Sequence, residues 1–257
     1  MISIFIEDVE KEVMAVTEVE LATPLNAAVK AYNSIGQALR TCEQIPWSKL
    51  SLVHKVGLLL MVRLAQDVRC ILLCVHRGYP VQASSMAACA FEAAYALAYV
   101  GGDESKAQAW ADHTDERRSF RDVKTMVAGA LKGLGLPQAE CAELSDIQLG
   151  LYRRLCMAKH SNPVFQARHG YELVNDRPVF TTVPVVSEQT KATSIAALQG
   201  AVVAAFLALG SYINWHTRKA EQSSLMCLFR ELVERSVSIT HEARAMWPSG
   251  DPLSRER

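Results

Sequence analysis

The sequence predicts an all-α fold, an antiparallel helical bundle with one small β-hairpin or flap near residues 168–186, and three stretches carry that expectation. The first runs from Val81 to Val100, VQASSMAACAFEAAYALAYV, and holds a single formal charge, Glu92, among small and apolar residues. A helix that is apolar all round belongs in the middle of a bundle or in a membrane. The second is Ser48 to His76, where Leu52, Val56, Leu59, Leu60, Leu64, Val68, Ile71, Leu72 and Val75 form a wide apolar face. Lys55, Arg63, Asp67 and Arg69 occupy the remainder of that helix. The third is Ala192 to Thr217, which has no Asp, Glu, Lys or Arg.

The other elements follow in order. Val9, Val13, Val16 and Val19 fall near helical spacing in an acidic segment from Ile6 to Leu21. Thr23-Pro24 then supplies a cap and a first-turn proline for a helix to about Ile45, and Pro46 closes it. Arg77-Gly78-Tyr79-Pro80 reads as a tight turn into the central helix. Gly101-Gly102 ends that helix, and Asp103 caps a successor expected to run to about Leu134 with a polar outer face. Gly133, Gly135 and Pro137 break the chain again, and Ser145-Asp146-Ile147-Gln148 reads as a capping box for a helix ending at His160 and Ser161, with Pro163 as the stop.

Between Arg168 and Val186 the β-branched residues on either side of Asn175-Asp176-Arg177-Pro178 give the hairpin. Ser187 caps the charge-free helix, and an amphipathic stripe continues from Leu225 to Trp247. Residues 248–257 read as a disordered polar tail. The organisation expected is a single helical domain: an N-terminal arm over 1–45, and a bundle over 48–163 and 187–247.

Composition narrows the function classes. With 257 residues, half of them apolar, the chain can bury a large core. Its 27 basic and 27 acidic residues cancel, so no global field gathers nucleic acid or an acidic membrane, and a polyanion would need a local patch. Seven cysteines without close, regular spacing favour reduced thiols and a cytoplasmic setting. The first residues lack the basic region of a signal peptide, because Glu7, Asp8 and Glu10 follow at once. Gln199, Ser211, Asn214 and His216 interrupt the charge-free run, which favours a buried helix over a membrane span.

Candidate chemistry centres on Glu92. An enclosed carboxylate is costly unless paired, and Tyr152-Arg153-Arg154-Leu155-Cys156-Met157-Ala158-Lys159-His160-Ser161-Asn162-Pro163 offers three cations and a histidine at one helix end. Arg153 and His160, seven apart, share a helix face to within about 20°, with roughly 10 Å between them along the axis. An Arg that steadies a phosphate beside a His that moves a proton near neutral pH suits metal-free phosphodiester cleavage. The same residues equally suit a structural role, answering the helix dipole and tying the bundle through Glu92.

Weaker constellations point to ordinary packing. Cys70 and Cys74 lie one turn apart and with Cys89 or His76 would make only a partial metal site. Asp112, His113, Asp115 and Glu116 lack a matching motif on another helix. Gly129 to Gly135 lacks the GK[ST] ending and the preceding strand of a phosphate loop. No metal or cofactor is expected.

The order of an RGY turn, an Ala-rich helix with one glutamate, GGDESKAQAWADH and YRRLCMAKHSNP resembles a loose group of uncharacterised bacterial all-helical proteins and, more distantly, the HEPN superfamily. The likeness covers roughly Arg77 to Pro163. It implies a HEPN-like core and, in the ribonucleases of that superfamily, an Arg and a His with four to six residues between them, the first usually polar, in a site composed across a homodimer. Arg153 and His160 fit that pattern, whereas the pair Arg154 and His160 places Leu155 where a polar residue is usual. The expectation is then a metal-independent endoribonuclease of a bacterial toxin or defence system. Arg153 would hold the scissile phosphate, His160 would transfer protons and Glu92 would orient or charge the histidine. Arg154, Lys159 and Asn162 would bind RNA, and a regulatory protein would accompany the homodimer. The alternative is a non-catalytic helical binding or scaffold module.

Overall fold

A computed structural model describes residues 2–42, 45–115, 120–132, 137–160, 162, 165, 169–180, 184–216, 224–235 and 239. The fold is all-helical in its core. We number the helices α1 (Ile2–Glu20), α2 (Ala22–Arg40), α3 (Leu52–His76), α4 (Pro80–Val100), α5 (Glu104–Ala111), α6 (Val123–Lys132), α7 (Gln138–Lys159) and α8 (Glu188–His216), with a further helical segment over 224–235. A single turn of tighter helix, Trp47–Lys49, precedes α3, whose first turn is capped by Ser51: its hydroxyl accepts from the His54 amide.

Helix α4 is the axis of the bundle and packs along α3, α6, α7 and α8. Ala83, Ala87, Ala88, Ala90, Phe91, Ala94, Tyr95 and Val100 have no measurable exposure. Small side chains permit the close approach. A methyl group placed on Gly200 of α8 would lie 3.2 Å from Ala87 Cβ and 3.0 Å from Leu155 Cδ1 of α7. Helix α2 joins the same core through Ala27, Ala28, Ala31, Ile35 and Ala38. Among the described residues, two helices, Pro80–Val100 and Glu188–Asn214, are long and apolar enough to cross a bilayer. In the most apolar stretch of each, 67% and 72% is buried inside the bundle.

The α3–α4 turn needs its glycine. Gly78 has φ 82°, and a side chain there would collide with Val13 of α1 and with Pro184, at 2.6 and 2.9 Å. Around it, Tyr79 donates to Glu10 at 2.7 Å, Arg77 pairs with Glu10 at 3.6 Å and His76 meets Glu18 at 2.9 Å, so α1 is pinned to the turn by its acidic side.

Several expected boundaries move. Thr23, expected to cap α2, lies inside it behind Leu21, and α3 starts at Leu52 where Ser48 was expected. The helix expected from Asp103 to Leu134 is two helices, because α5 stops at Ala111 and the Asp122 carboxylate caps a new start by accepting from the Thr125 amide at 2.9 Å. Ser145 lies inside α7, not at its start: the chain turns helical directly after Pro137, whose fixed φ suits helix entry. Helix α2 ends at Arg40, short of Ile45.

Tyr171–Val174 (β1) and Arg177–Phe180 (β2) pair antiparallel with Val174 opposite Arg177, and Asn175 and Asp176 between them take φ 51° and 61°. Asn and Asp tolerate that region best among side-chain-bearing residues. The stops at Ser161 and Pro163, the glycines 133 and 135, the end of the stripe at Trp247 and the tail 248–257 lie outside the described residues.

Candidate functional site

Tyr152, Cys156 and Lys159 recur at four- and three-residue steps, which places them within about 60° of azimuth on one side of α7. That side faces α4. The rings of Phe91 and Tyr152 stack with centroids 5.3 Å apart, and Phe91 leans on Tyr95 at 4.6 Å. Glu92 lies next to this apolar stack, and its Oε1 accepts two hydrogen bonds: from the Tyr152 hydroxyl at 2.6 Å and from Lys159 Nζ at 2.7 Å. The carboxylate and the ammonium are 27% and 30% exposed, so the pair sits at the edge of the core.

Helix α3 adds a second ion pair. Asp67 is 4% exposed, and both its oxygens accept from Arg63 Nε one turn earlier, at 3.0 and 2.8 Å. Asp67 lies within electrostatic reach of both Glu92 and Lys159. Arg63, Asp67, Lys159 and Glu92 therefore form one polar layer of four charges that cancel, spanning α3, α4 and α7. Cys89 and Cys156 are half-buried beside it.

The protonation states follow from burial and these contacts. Burial raises the Asp67 carboxyl above the ordinary aspartate range, even against the Arg63 guanidinium. Burial works against the Lys159 ammonium, but the hydrogen bond and charge of Glu92 outweigh it and hold the group above the usual lysine value. Tyr152 is raised by burial first, then by its bonds to Cys156 and Glu92. Burial also raises both thiols. Near neutral pH this layer thus contains an ammonium, a phenol and two thiols that all keep their protons. Lys159, Tyr152 and the thiols supply neither a base nor a ready nucleophile.

The residues expected to act divide between two faces. Arg153 is exposed, Arg154 is half-buried and His160, also exposed, is the C-terminal cap of α7. Asn162 is half-buried, and its amide returns to the Met157 carbonyl at 2.9 Å to close the helix end. Among the described residues, the side chains of Arg153 and His160 have no hydrogen-bond or ion-pair partner. The orienting role expected of Glu92 toward His160 is not what its contacts show. His160 follows Lys159 by about 100° of helical rotation, so the lysine points to α4 and the histidine away from it. Lys159, expected to bind RNA, has its charge taken up by Glu92.

Reading residues singly missed Asp67, Arg63 and Tyr152. The i,i+4 spacing of Arg63 and Asp67, and the stripe of Tyr152, Cys156 and Lys159, were the available signals. Among the described residues, no group of three His, Cys, Asp or Glu side chains is placed to hold a metal ion. Glu116, of the acidic cluster, lies outside them. No family model, curated protein or solved structure matches the chain.

Proposed function

We propose that the chain is a non-catalytic helical binding or scaffold module, in which the polar layer fixes how α3, α4 and α7 sit together. One observation carries this reading: Tyr152 and Lys159 of α7 both donate to Glu92 Oε1 of α4, so the contacts of this carboxylate tie two helices together. The test pairs stability with chemistry. Lys159→Met is expected to lower the urea midpoint of the folded protein, while wild-type protein incubated with RNA and EDTA leaves the RNA intact. Chelator-resistant cleavage that disappears in His160→Ala would overturn the reading.

A second reading has its own support. Arg153 and His160 are exposed on the outward side of α7 and are uncommitted among the described residues. On that reading the protein has a HEPN-like core and acts on RNA in the cytoplasm as a metal-independent endoribonuclease. It works as a homodimer under a regulatory partner, with Arg153 on the phosphate, His160 moving protons, and Arg154 and Asn162 beside them. Glu92 then contributes only by positioning Lys159 and the end of α7. The same RNA incubation decides between the two.

A further inference from the structure

The outer side of α3 carries apolar side chains where water would ordinarily favour polar ones. Lys55, Leu59, Val62, Gln66, Arg69 and Leu73 fall within about 40° of one line along this helix, opposite the buried Leu60, Leu64 and Ile71. Trp47 extends the line ahead of α3, because Lys55 Nζ lies 5.7 Å from the centroid of its ring. Trp47, Leu59, Val62 and Leu73 are between 42% and 53% exposed. Among the described residues, they are four of the eight large apolar side chains that stand out in solvent, so exposure of this kind is gathered on one line.

Charge is sorted with it. Neither the turn Trp47–Lys49, nor α3, nor α2 beside it has an exposed acid: Asp67, the one carboxylate on them, is buried and held by Arg63. Lys49 is exposed at the head of the line, and Arg69 between Val62 and Leu73. The acids are collected on α1, which has six of them and one lysine and meets the far end of α3 where Glu18 pairs with His76. A formal charge of zero thus conceals a local cationic side, the kind of patch that an anionic partner requires.

We propose that this stripe docks the protein on an anionic lipid surface, with α3 lying in the plane of the headgroups. Leu59, Val62 and Leu73 enter the boundary of the acyl chains, and the Trp47 indole sits at the interface, where an aromatic ring with one polar edge is favoured. Lys55 and Arg69 reach sideways to the anionic headgroups while their stems stay among the apolar side chains. Each cation near such a surface strengthens binding about fivefold, and the apolar contacts add to it, so the two signals act together. A partner helix would need a groove, whereas these residues stand on the crest of an outer helix about 37 Å long. The inference rests on the binding-module reading and names what is bound.

The experiment is sedimentation of the full chain with extruded vesicles, either of phosphatidylcholine alone or of equal parts phosphatidylcholine and phosphatidylserine, in low salt and in molar salt. Wild type is expected to pellet with the mixed vesicles in low salt, to stay in solution with phosphatidylcholine, and to be released by molar salt, which screens the headgroups. Release by salt separates a docked protein from one that spans the bilayer. Val62→Glu and Arg69→Glu should each weaken the partition by about tenfold or more, with unchanged far-ultraviolet circular dichroism because both side chains are exposed. Ile147→Glu, a comparable change on an exposed residue of α7, should leave binding close to wild type. A fluorescent peptide of Ile2–Glu20 probes the rival occupant, an acidic amphipathic helix. Failure to pellet with the mixed vesicles, equal pelleting with both lipids, or binding that neither α3 substitution weakens overturns the proposal. So does a peptide that binds the stripe where vesicles do not. Neither result touches the Lys159→Met midpoint or the RNA incubation, so the two proposals fail separately.

Discussion

The two faces of α7 differ in what their charges do. On the inward face Lys159 and Tyr152 end on a single carboxylate oxygen of Glu92 on α4, with Asp67 of α3 within electrostatic reach of the lysine. On the outward face Arg153 and His160 have no polar partner among the described residues, and the acids lie a turn or more away along the same helix. The twelve residues from Leu149 to His160 therefore contain both a charge clamp and an open surface. Similar side chains serve opposite ends because one step of about 100° turns a residue from core to solvent.

The comparison breaks most easily at the apolar floor of the inward face. Leu155 is 1% exposed and packs toward Gly200 and Ala87. Leu155→Ala should cost about 2–5 kcal/mol, the range for deleting a buried leucine side chain. Arg153→Ala, two residues earlier on the outward face, should change stability by no more than about 0.5 kcal/mol. Urea unfolding of the two variants would erase the distinction if their midpoints shifted alike.

The ion pair comes next. Lys159→Met leaves Glu92 beside an apolar stack without its ammonium, and should cost about 1–3 kcal/mol, toward the lower end because the pair is partly solvated. Adding Glu92→Leu removes the stranded carboxylate and should recover part of the loss. A double variant that simply sums the single losses would show that Lys159 and Glu92 are not coupled, and the clamp would lose its meaning.

How much of this was legible depends on the pattern that signals it. A lone Glu92 in an apolar helix announces that a cation must come from elsewhere, and the cationic close of α7 is where it comes from. Which cation answers is a matter of azimuth: Tyr152, Cys156 and Lys159 fall on one stripe, while attention to the Arg and His leads to the opposite side. Asp67 was hidden differently. Beside Lys55, Arg63 and Arg69 it reads as one more residue of a solvated face, and only the packing of α4 against α3 buries it to 4%. Boundaries suffered where local chemistry has two uses. Ser145 with Gln148 resembles a cap inside a helix that Pro137 had already begun, and the polar run after Asp103 hides the cap that Asp122 makes for α6.

Alkaline pH sharpens the inward face without a mutation. Lys159 and Tyr152 both hold their protons more tightly in the folded chain than in the unfolded one. The stability they contribute is fully present below their unfolded values, near pH 10, and is lost as the pH rises above them. The urea midpoint should therefore hold to about pH 9.5 and fall between about pH 10 and pH 12, and the fall should be shallower in Lys159→Met. Identical slopes for the two proteins would remove Lys159 from the account.

The smallest effect belongs to the outward face and has the opposite sign. Gly150 sits in mid-helix with an ordinary helical neighbourhood and open space where a methyl would go. Gly150→Ala should stabilise the fold by about 0.5–1 kcal/mol, because glycine loses the most backbone freedom on entering a helix. Thermal unfolding of the two proteins should place the variant's midpoint a few degrees higher, and a midpoint unchanged or lowered would mean that the added methyl meets something at Gly150.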